Sequence, residues 1–254
     1  MTFTQPQLIS HQPTYLSQPT SNVTAIAKTK QKDKKNMCIV LVTRTKKYSL
    51  VLSNRDEFLA RPTAKATWWP APASHILGGR DMARPSHGTW LGITRQGRFV
   101  VLTNFREATE AAANGAALSR GEITKEFLMS DKPVEEWIQE VLESGVYKNV
   151  GGFSLMCGVL RKKSAGYAVV SNRSTLEKGA DWVLAKQDEV VGYECEGLSN
   201  SLIHDEWPKV ALGKKLLHEL IEMDIQDERE LIERCFDLLS YAPLLEYFTD
   251  CLQN

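Results

Sequence analysis

The apolar positions of this chain form short runs from residue 38 onwards. Residues 38–42 (CIVLV) and 48–53 (YSLVLS) are two such runs joined by a lysine-rich turn, and residues 89–104 contain two more around Gly97. Short runs rich in Val, Ile and Leu predict β-strands, and the brief polar links between them predict antiparallel pairs. Residues 60–86 are rich in Pro and Ala, and their pattern predicts an irregular segment.

Two helices are predicted next, because the apolar positions change to a spacing of three and four residues. Ser119 and Glu122 form a capping-box pattern before residues 123–129. The second helix opens at Pro133, carries its apolar residues on one face and stops at Gly145.

The second half of the chain repeats this order. Strands are predicted at 152–160, 166–172, 182–186 and 190–194, and helices from Pro208 and over 228–239. Strands in runs and helices in pairs predict an α+β fold with antiparallel sheets rather than alternating βαβ units. No glycine-rich phosphate loop interrupts the pattern, which argues against a dinucleotide-binding fold.

Residues 1–36 have a different composition from the rest. They are rich in Gln, Pro, Ser and Thr and then in Lys, with Asp33 as their one acid. This composition predicts a disordered extension before a single domain at 37–254. It lacks the apolar core of a secretory signal. A mitochondrial presequence is the alternative, but the segment has no Arg, and a natural start at Met37 accounts for the change better.

Charge and cysteine usage exclude several classes of protein. The chain has 31 basic and 31 acidic side chains, so no net field favours nucleic acid or an anionic membrane. No apolar run approaches the roughly 20 residues that span a bilayer, which predicts a soluble protein. The five cysteines are odd in number and form no C-x-x-C pair, which argues against a disulfide framework or a zinc site and favours a reducing compartment.

The Met37-Cys38 pair is the first candidate for chemistry. Methionine before a small residue is readily trimmed, and a start at Met37 would then leave Cys38 with a free α-amine beside its thiol. Such an amine has a pKa near 8 and serves as a general base for the neighbouring nucleophile. The alternative is that Cys38 is a strand residue without a role.

Four further residues become candidates because of the predicted strands. An antiparallel return from the second strand brings Arg55 and Asp56 beside Cys38, where the Arg would favour thiolate and the Asp would orient the amine. Asn104 ends the later hairpin and Asn200 follows a glycine, and an Asn amide can donate to a developing oxyanion. The alternatives are a surface ion pair and two turn residues.

Several segments together resemble the transport and Golgi organisation 2 family, also called NRDE proteins. They are MCIVLV, LSNRDEFLARP, GGRDM, HGTWLGITRQGRFVVLTNFRE and GYECEGLSNS, and the resemblance covers roughly residues 37–240. Members of the family begin at the Met-Cys pair. The family is similar in turn to N-terminal nucleophile hydrolases, which implies a four-layer αββα sandwich of two antiparallel sheets.

The resemblance also implies roles for residues of this chain. Cys38 matches the nucleophile, Arg55 and Asp56 match the Arg and Asp that end the second strand, and Asn104 and Asn200 match the asparagines around the oxyanion. The chain departs from the family pattern in two places. Ser86-His87 stand where the family has Gly. The chain ends in FTDCLQN without the family's last strand pair, so the late Arg of the hydrolases has no counterpart and a strand edge is left open.

The resemblance implies a role in Golgi organisation, protein secretion and the trafficking of haem or acyl-lipid metabolites. The expected ligand is small and apolar or amphipathic, such as haem or acyl-CoA, and no cofactor is required. A cleft between the sheets, lined by Trp68, Trp69 and Trp90, would hold it, unless these side chains belong to the core. The location implied is the cytoplasm with Golgi association, and the basic tail keeps mitochondria open. Two alternatives are a cysteine amidohydrolase that cleaves linear C–N bonds with Cys38 and a non-catalytic interaction domain.

Overall fold

A computed structural model describes residues 38–45, 47–106, 119–145, 150–160, 167–174, 180–183 and 195–241, with only the backbone of 180–183. Residues 36–254 form one compact unit. The predictions for the extension at 1–36, for the strand at 190–194 and for the last residues of the chain lie outside the described residues.

The smaller sheet contains three antiparallel strands in the order β10-β1-β2. They are β1 (Ile39–Arg44), β2 (Ser49–Asn54) and β10 (Cys195–Leu198). Strands β1 and β2 form the predicted antiparallel pair, with Ile39 opposite Asn54. β1 is buried on both faces, which explains its continuous apolar sequence.

The larger sheet contains seven antiparallel strands that follow one another in chain order. They are β3 (Thr63–Trp68), β4 (Ile76–Asp81), β5 (Leu91–Thr94), β6 (Arg98–Asn104), β7 (Phe153–Val159), β8 (Tyr167–Ser171) and β9 (Ala180–Val183). Gly97 adopts a φ of 88° in the tight turn between β5 and β6, as the predicted hairpin requires.

The prediction that residues 60–86 are irregular was wrong, because β3 and β4 lie within them. β3 is an edge strand with most side chains exposed, so it shows no alternation of apolar and polar residues. β4 contains Gly78 and Gly79, which strand patterns disfavour. A Cβ at Gly78 would lie 2.7 Å from the carbonyl oxygen of Leu91, so the adjacent strand needs glycine there.

Four helices complete the described fold, namely α1 (Arg120–Met129), α2 (Val134–Ser144), α3 (Pro208–Glu222) and α4 (Glu228–Leu239). Gly145 ends α2 in the left-handed conformation with a φ of 62°, as predicted. The capping box was wrong, since the Ser119 side chain makes no cap hydrogen bond at the start of α1. Asp227 caps α4 by accepting from the main-chain N–H of Glu230.

Three apolar clusters define the order of the layers. The first joins α1 and α2 to one face of the larger sheet, and the second joins α3 and α4 to the outer face of the smaller sheet. The third lies between the sheets, where Val40 and Val42 of β1 pack with Val101 of β6 and Met156 of β7. The described part of the chain is therefore a four-layer αββα sandwich, which confirms the predicted fold class.

Candidate active site around Cys38

Cys38 lies at the end of the smaller sheet, directly before β1. Because Ile39 pairs with Asn54, the chain that leaves β2 passes beside Cys38. The main-chain N–H of Asp56 donates to the Cys38 sulfur there. The corner predicted from the antiparallel return, with Arg55 and Asp56 next to the thiol, is present in the structure.

The main chain of Cys38 is held on both sides by buried polar groups. Its nitrogen donates to Oδ1 of Asn200 at 2.8 Å. Its carbonyl oxygen accepts from Ser199 Oγ and from Lys209 Nζ, each at 2.8 Å. These contacts join β1 to the end of β10 and to the first turn of α3. They hold in place the backbone that carries the Cys38 sulfur.

The two predicted asparagines take different places near Cys38. The Nδ2 group of Asn200 donates to the main-chain oxygen of Asn104, while its Oδ1 accepts from Cys38. The amide of Asn200 is therefore engaged with main-chain groups and positions the Cys38 nitrogen. Asn104 ends β6, is exposed and lines the pocket in front of Cys38. The structure thus brings both residues to the corner, with Asn104 as the one that faces the pocket.

A polar pocket of about 110 Å³ opens in front of the thiol. Its wall also includes Thr89 and Trp90 of the loop before β5 and the start of α1. Charged side chains of both signs surround the opening. They are Arg55, Asp56, Glu57, Arg61, Asp81 and Arg120. The pocket therefore suits a polar or zwitterionic group more than a bare apolar one.

The arginines of the pocket are held in fixed positions. Arg61 binds Asp81 through two hydrogen bonds, Nε to Oδ1 at 3.1 Å and Nη2 to Oδ2 at 2.6 Å. Arg55 stacks its guanidinium 3.5 Å from the centre of the Trp90 ring and lies 3.5 Å from Glu57. These contacts fix where the positive charges of the pocket lie relative to Cys38.

Burial and charge act in opposite directions on the reactive groups. Burial raises the pKa of the Cys38 thiol, and the Asp56 N–H and the charges of Lys209 and Arg55 offset part of that rise. Burial lowers the pKa of Lys209 to about 8. Burial alone would raise the pKa of Asp81, but its hydrogen bonds to Arg61 and to the Ala83 N–H outweigh burial and lower it.

Sequence reasoning missed several residues of the site. Lys209 is 1% exposed and begins the buried face of α3 that continues with Val210, Gly213 and Leu217. A lysine at the head of an apolar stripe was the signal that could have found it. Arg61 and Asp81 lie in the segments LARP and GGRD, whose pairing follows only once β3 and β4 are recognised as strands.

In the described part of the chain no tryptophan-lined cleft lies between the sheets, and the alternative of burial in the core holds for Trp69 alone. Trp69 is buried and donates from Nε1 to the Gly78 oxygen, whereas Trp68 is exposed beneath the guanidinium of Arg95. Only Trp90 of the three lines the Cys38 pocket. The space between the sheets is filled by the apolar cluster that contains Val40 and Met156.

The histidines and the other cysteines of the described residues are not grouped as metal ligands. Within the described ranges, no three His, Cys, Asp or Glu side chains are grouped to hold a metal ion. His75 Nε2 lies 3.3 Å from the Leu128 oxygen and His218 pairs with Glu222.

No helix in the described part of the chain has the length and hydrophobicity to span a membrane.

The sequence pattern of the family described as Transport and Golgi organisation 2 matches residues 37–250. This chain belongs to that family. A Bos taurus "Transport and Golgi organization protein 2 homolog" is 33% identical over 69% of this chain, and a Mus musculus homologue is 32% identical over 76%. The matches cover 59% and 66% of those two relatives, so the chain spans less than two thirds of their length.

One solved structure shows a weak likeness to this chain. A Caenorhabditis elegans N-acylethanolamine-hydrolyzing acid amidase ortholog gives a TM-score of 0.45 with 14% identity. The match covers 82% of this chain and 87% of the other.

Proposed function

We propose that this protein acts in Golgi organisation and protein secretion, from the cytoplasm with Golgi association. The support is its membership of the family and the names of its relatives, which refer to transport and Golgi organisation. Depletion of the protein should disperse Golgi markers and slow export of a secreted reporter. Re-expression should restore both, and normal Golgi structure and secretion after depletion would contradict the cellular role.

The molecular activity that the geometry supports best is that of a cysteine amidohydrolase acting on a linear C–N bond. One observation carries this proposal: the Cys38 thiol faces a polar pocket while its nitrogen is held by Asn200. If Cys38 is the first residue, this nitrogen is its α-amine. Asn200 then holds the amine in place beside the thiol, where it can act as the general base.

The mechanism requires Cys38 to carry a free α-amine. That amine takes the thiol proton, and the thiolate attacks the amide carbonyl carbon to form a C–S bond. Negative charge collects on the carbonyl oxygen, where the Asn104 amide and main-chain N–H groups of the pocket can donate to it. The ammonium returns its proton to the departing amine, and a thioester remains. Water activated by the same amine then releases the acid and restores the thiol.

Two measurements test this activity. Mass spectrometry of the cellular protein should find Cys38 as its first residue, and an intact tail on active protein would contradict the amine as base. A thiol-reactive amide probe should label Cys38, and Cys38→Ala should abolish labelling without unfolding the chain. Cys195→Ala is the matched control, because Cys195 is also half-buried but lies outside the pocket.

A second candidate is carriage of an amphipathic ligand without turnover, with haem or acyl-CoA as the cargo. The observation that favours it is the presence of Arg55, Arg61 and Arg120 in one pocket, where they can bind an acidic head group beside the acidic side chains of the same lining. The pocket is smaller than the roughly 300–1,000 Å³ of sites that enclose a whole drug-sized ligand, so it would take only the head.

Titration with haem or with acyl-CoA distinguishes carriage from catalysis. Saturable binding that weakens in Arg55→Ala, with no release of free acid, supports carriage. The control is Arg234→Ala, since Arg234 is exposed and pairs with Glu230 on α4. Absence of a saturable absorbance or fluorescence change would contradict it, and a plain interaction domain then gains support.

A further inference from the structure

Lys209 is a buried lysine in the first turn of α3. It is 1% exposed and lies on the helix face that carries Val210 and Leu217. Its ammonium lies 5.9 Å from the centre of the Trp207 ring. Burying an ammonium group costs free energy that apolar packing does not return. A lysine at this position therefore needs a reason other than the stability of the helix.

The contact that explains Lys209 is with the main chain of Cys38. Its Nζ donates to the Cys38 carbonyl oxygen at 2.8 Å, and Ser199 Oγ donates to the same oxygen at 2.8 Å. A carbonyl oxygen can accept two hydrogen bonds, and Ser199 supplies one of them. What the lysine adds is a charge-assisted bond and a positive charge close to the thiol.

We infer that Lys209 is a positioning residue for Cys38, which it holds by the carbonyl while its positive charge stabilises the thiolate form of the side chain. The inference rests on the proposed function only in taking Cys38 as the reactive group. The charge of Lys209 is present whether Cys38 carries a free α-amine or remains joined to Met37. The thiolate therefore has electrostatic support in either form of the chain.

The charged groups around the thiol come from two directions. Arg55 and Asp56 approach from the end of β2, and Lys209 approaches from α3. Lys209 and Arg55 favour the thiolate, whereas the Asp56 carboxylate opposes it. Burial lowers the pKa of Lys209 to about 8, and the charges of Cys38 and Asp56 counteract part of that fall. The thiol and the ammonium therefore titrate as an interacting pair.

The rate of Cys38 alkylation by iodoacetamide tests the inference, because it follows the thiolate fraction and needs no substrate. Peptide-resolved mass spectrometry would follow the full chain between about pH 6 and about pH 10, a range that includes the ordinary pKa of a thiol. Lys209→Gln keeps a donor for the carbonyl but removes the charge. Lys209→Arg keeps the charge.

Lys209→Gln should slow alkylation near neutral pH by about tenfold, as a rise of one unit in the pKa of Cys38 would do. Lys209→Arg should restore most of the rate. Equal pH profiles for the wild type and Lys209→Gln would overturn the inference. A slow rate in Lys209→Arg as well as in Lys209→Gln would overturn the electrostatic part.

A second lysine of α3 provides the matched control. Lys214 pairs with Glu196 and Glu206, and its charge acts on Cys195. Lys214→Gln should therefore slow alkylation of Cys195 and leave Cys38 unchanged. Cys157, whose pKa burial raises to about 12, should stay unreactive in every folded variant and reports unfolding if it reacts.

Reciprocal coupling gives a measurement that does not depend on altering Lys209. In the wild type, the NMR signal of the Lys209 side chain should titrate near pH 8. Cys38→Ala removes the thiolate, so the midpoint should move to lower pH. An unchanged midpoint would overturn the inference. A shifted midpoint in a protein that cleaves no amide supports the role of Lys209 and counts against the amidohydrolase. Amide cleavage with an unchanged midpoint supports the amidohydrolase and counts against the role of Lys209.

Discussion

The Oδ1 atom of Asn200 lies 2.8 Å from the main-chain nitrogen of Cys38, although 162 residues separate the two in sequence. The same amide donates to the main-chain oxygen of Asn104 at the end of β6. One buried side chain thus connects β1 of the smaller sheet to β6 of the larger sheet. The position of the candidate nucleophile depends on this connection between the two sheets.

Asn200→Ala should lower the free energy of unfolding by about 2–3 kcal/mol, because it leaves a buried N–H and a carbonyl oxygen without these partners. It should also slow labelling of Cys38 by a thiol-reactive probe, since the main chain of the nucleophile is released. Urea unfolding and the labelling rate check the two effects.

Asn54→Ala is the control for Asn200→Ala. Asn54 ends β2 near the same corner, but its side chain donates from Nδ2 to the Leu239 oxygen at 2.7 Å and makes no hydrogen bond to Cys38. Its loss should cost about 1 kcal/mol and leave the labelling of Cys38 unchanged. Equal effects of both substitutions on labelling would mean that Asn200 stabilises the fold without positioning Cys38.

The corner that contains Cys38, Arg55 and Asp56 was predictable because it depends only on local rules. Two apolar runs joined by a short turn must pair antiparallel, and this pairing brings the end of the second beside the start of the first. Lys209 was not predictable in the same way. It reaches Cys38 only because α3 packs on β1 and β10, where Gly213 and Gly197 allow close approach.

The larger sheet shows the other limit of sequence reasoning. β6, β7 and β8 were predicted because they are buried and rich in branched residues. β3 was missed because most of its side chains are exposed, so its sequence shows no apolar alternation. β4 was missed because it contains glycines, which allow the backbone of the adjacent strand to approach closely. The Arg61–Asp81 pair depends on those two strands, so it was missed with them.

Arg61→Leu should destabilise the protein at neutral pH by about 2–3 kcal/mol, because it leaves the buried Asp81 carboxylate without its partner. Asp81 has a lowered pKa when folded, so the stability it contributes is present above the ordinary value of 3.8 and disappears as pH falls through the folded value. The difference between Arg61→Leu and the wild type should therefore shrink as the pH falls below 3.8.

Lys132→Leu is the control for Arg61→Leu, because it breaks the exposed pair with Glu140. An exposed ion pair contributes little, so this change should leave the free energy of unfolding nearly unchanged at any pH. Urea unfolding at neutral and acid pH measures both variants. A loss for Arg61→Leu that stays constant into acid would contradict the assignment to Asp81.

Gly88→Ala should destabilise the fold far more than Gly121→Ala. A Cβ on Gly88 would lie 2.2 Å from the oxygen of Gly121, which is backbone and cannot rotate away. A Cβ on Gly121 would meet its nearest atom, the Thr89 oxygen, at 3.3 Å, and alanine favours the helix there by up to about 1 kcal/mol. Thermal unfolding measures the contrast. Equal melting temperatures for the two variants would show that the start of α1 shifts freely, and that the pocket wall formed by Thr89, Trp90 and Gly121 is not rigid.

Lys209→Met should raise the stability of the protein at neutral pH. Because burial lowers the pKa of Lys209 from 10.5 to about 8, the unfolded chain binds more protons than the folded chain between these values. The stability of the wild type therefore rises with pH over that window, and the full cost of the buried charge is present below about pH 8. That cost is at most about 3.5 kcal/mol at roughly 1.4 kcal/mol per pKa unit.

Methionine removes the charge while Ser199 still donates to the Cys38 carbonyl. Urea unfolding should find Lys209→Met more stable than the wild type by about 1–3 kcal/mol at pH 7, with the advantage shrinking above about pH 8. A less stable variant at pH 7 would show that the carbonyl bond outweighs the buried charge, and Lys209 would then be explained by structure alone. A more stable variant whose Cys38 reacts more slowly would show a lysine kept at the expense of stability, which is the expected mark of a residue retained for the chemistry of the thiol.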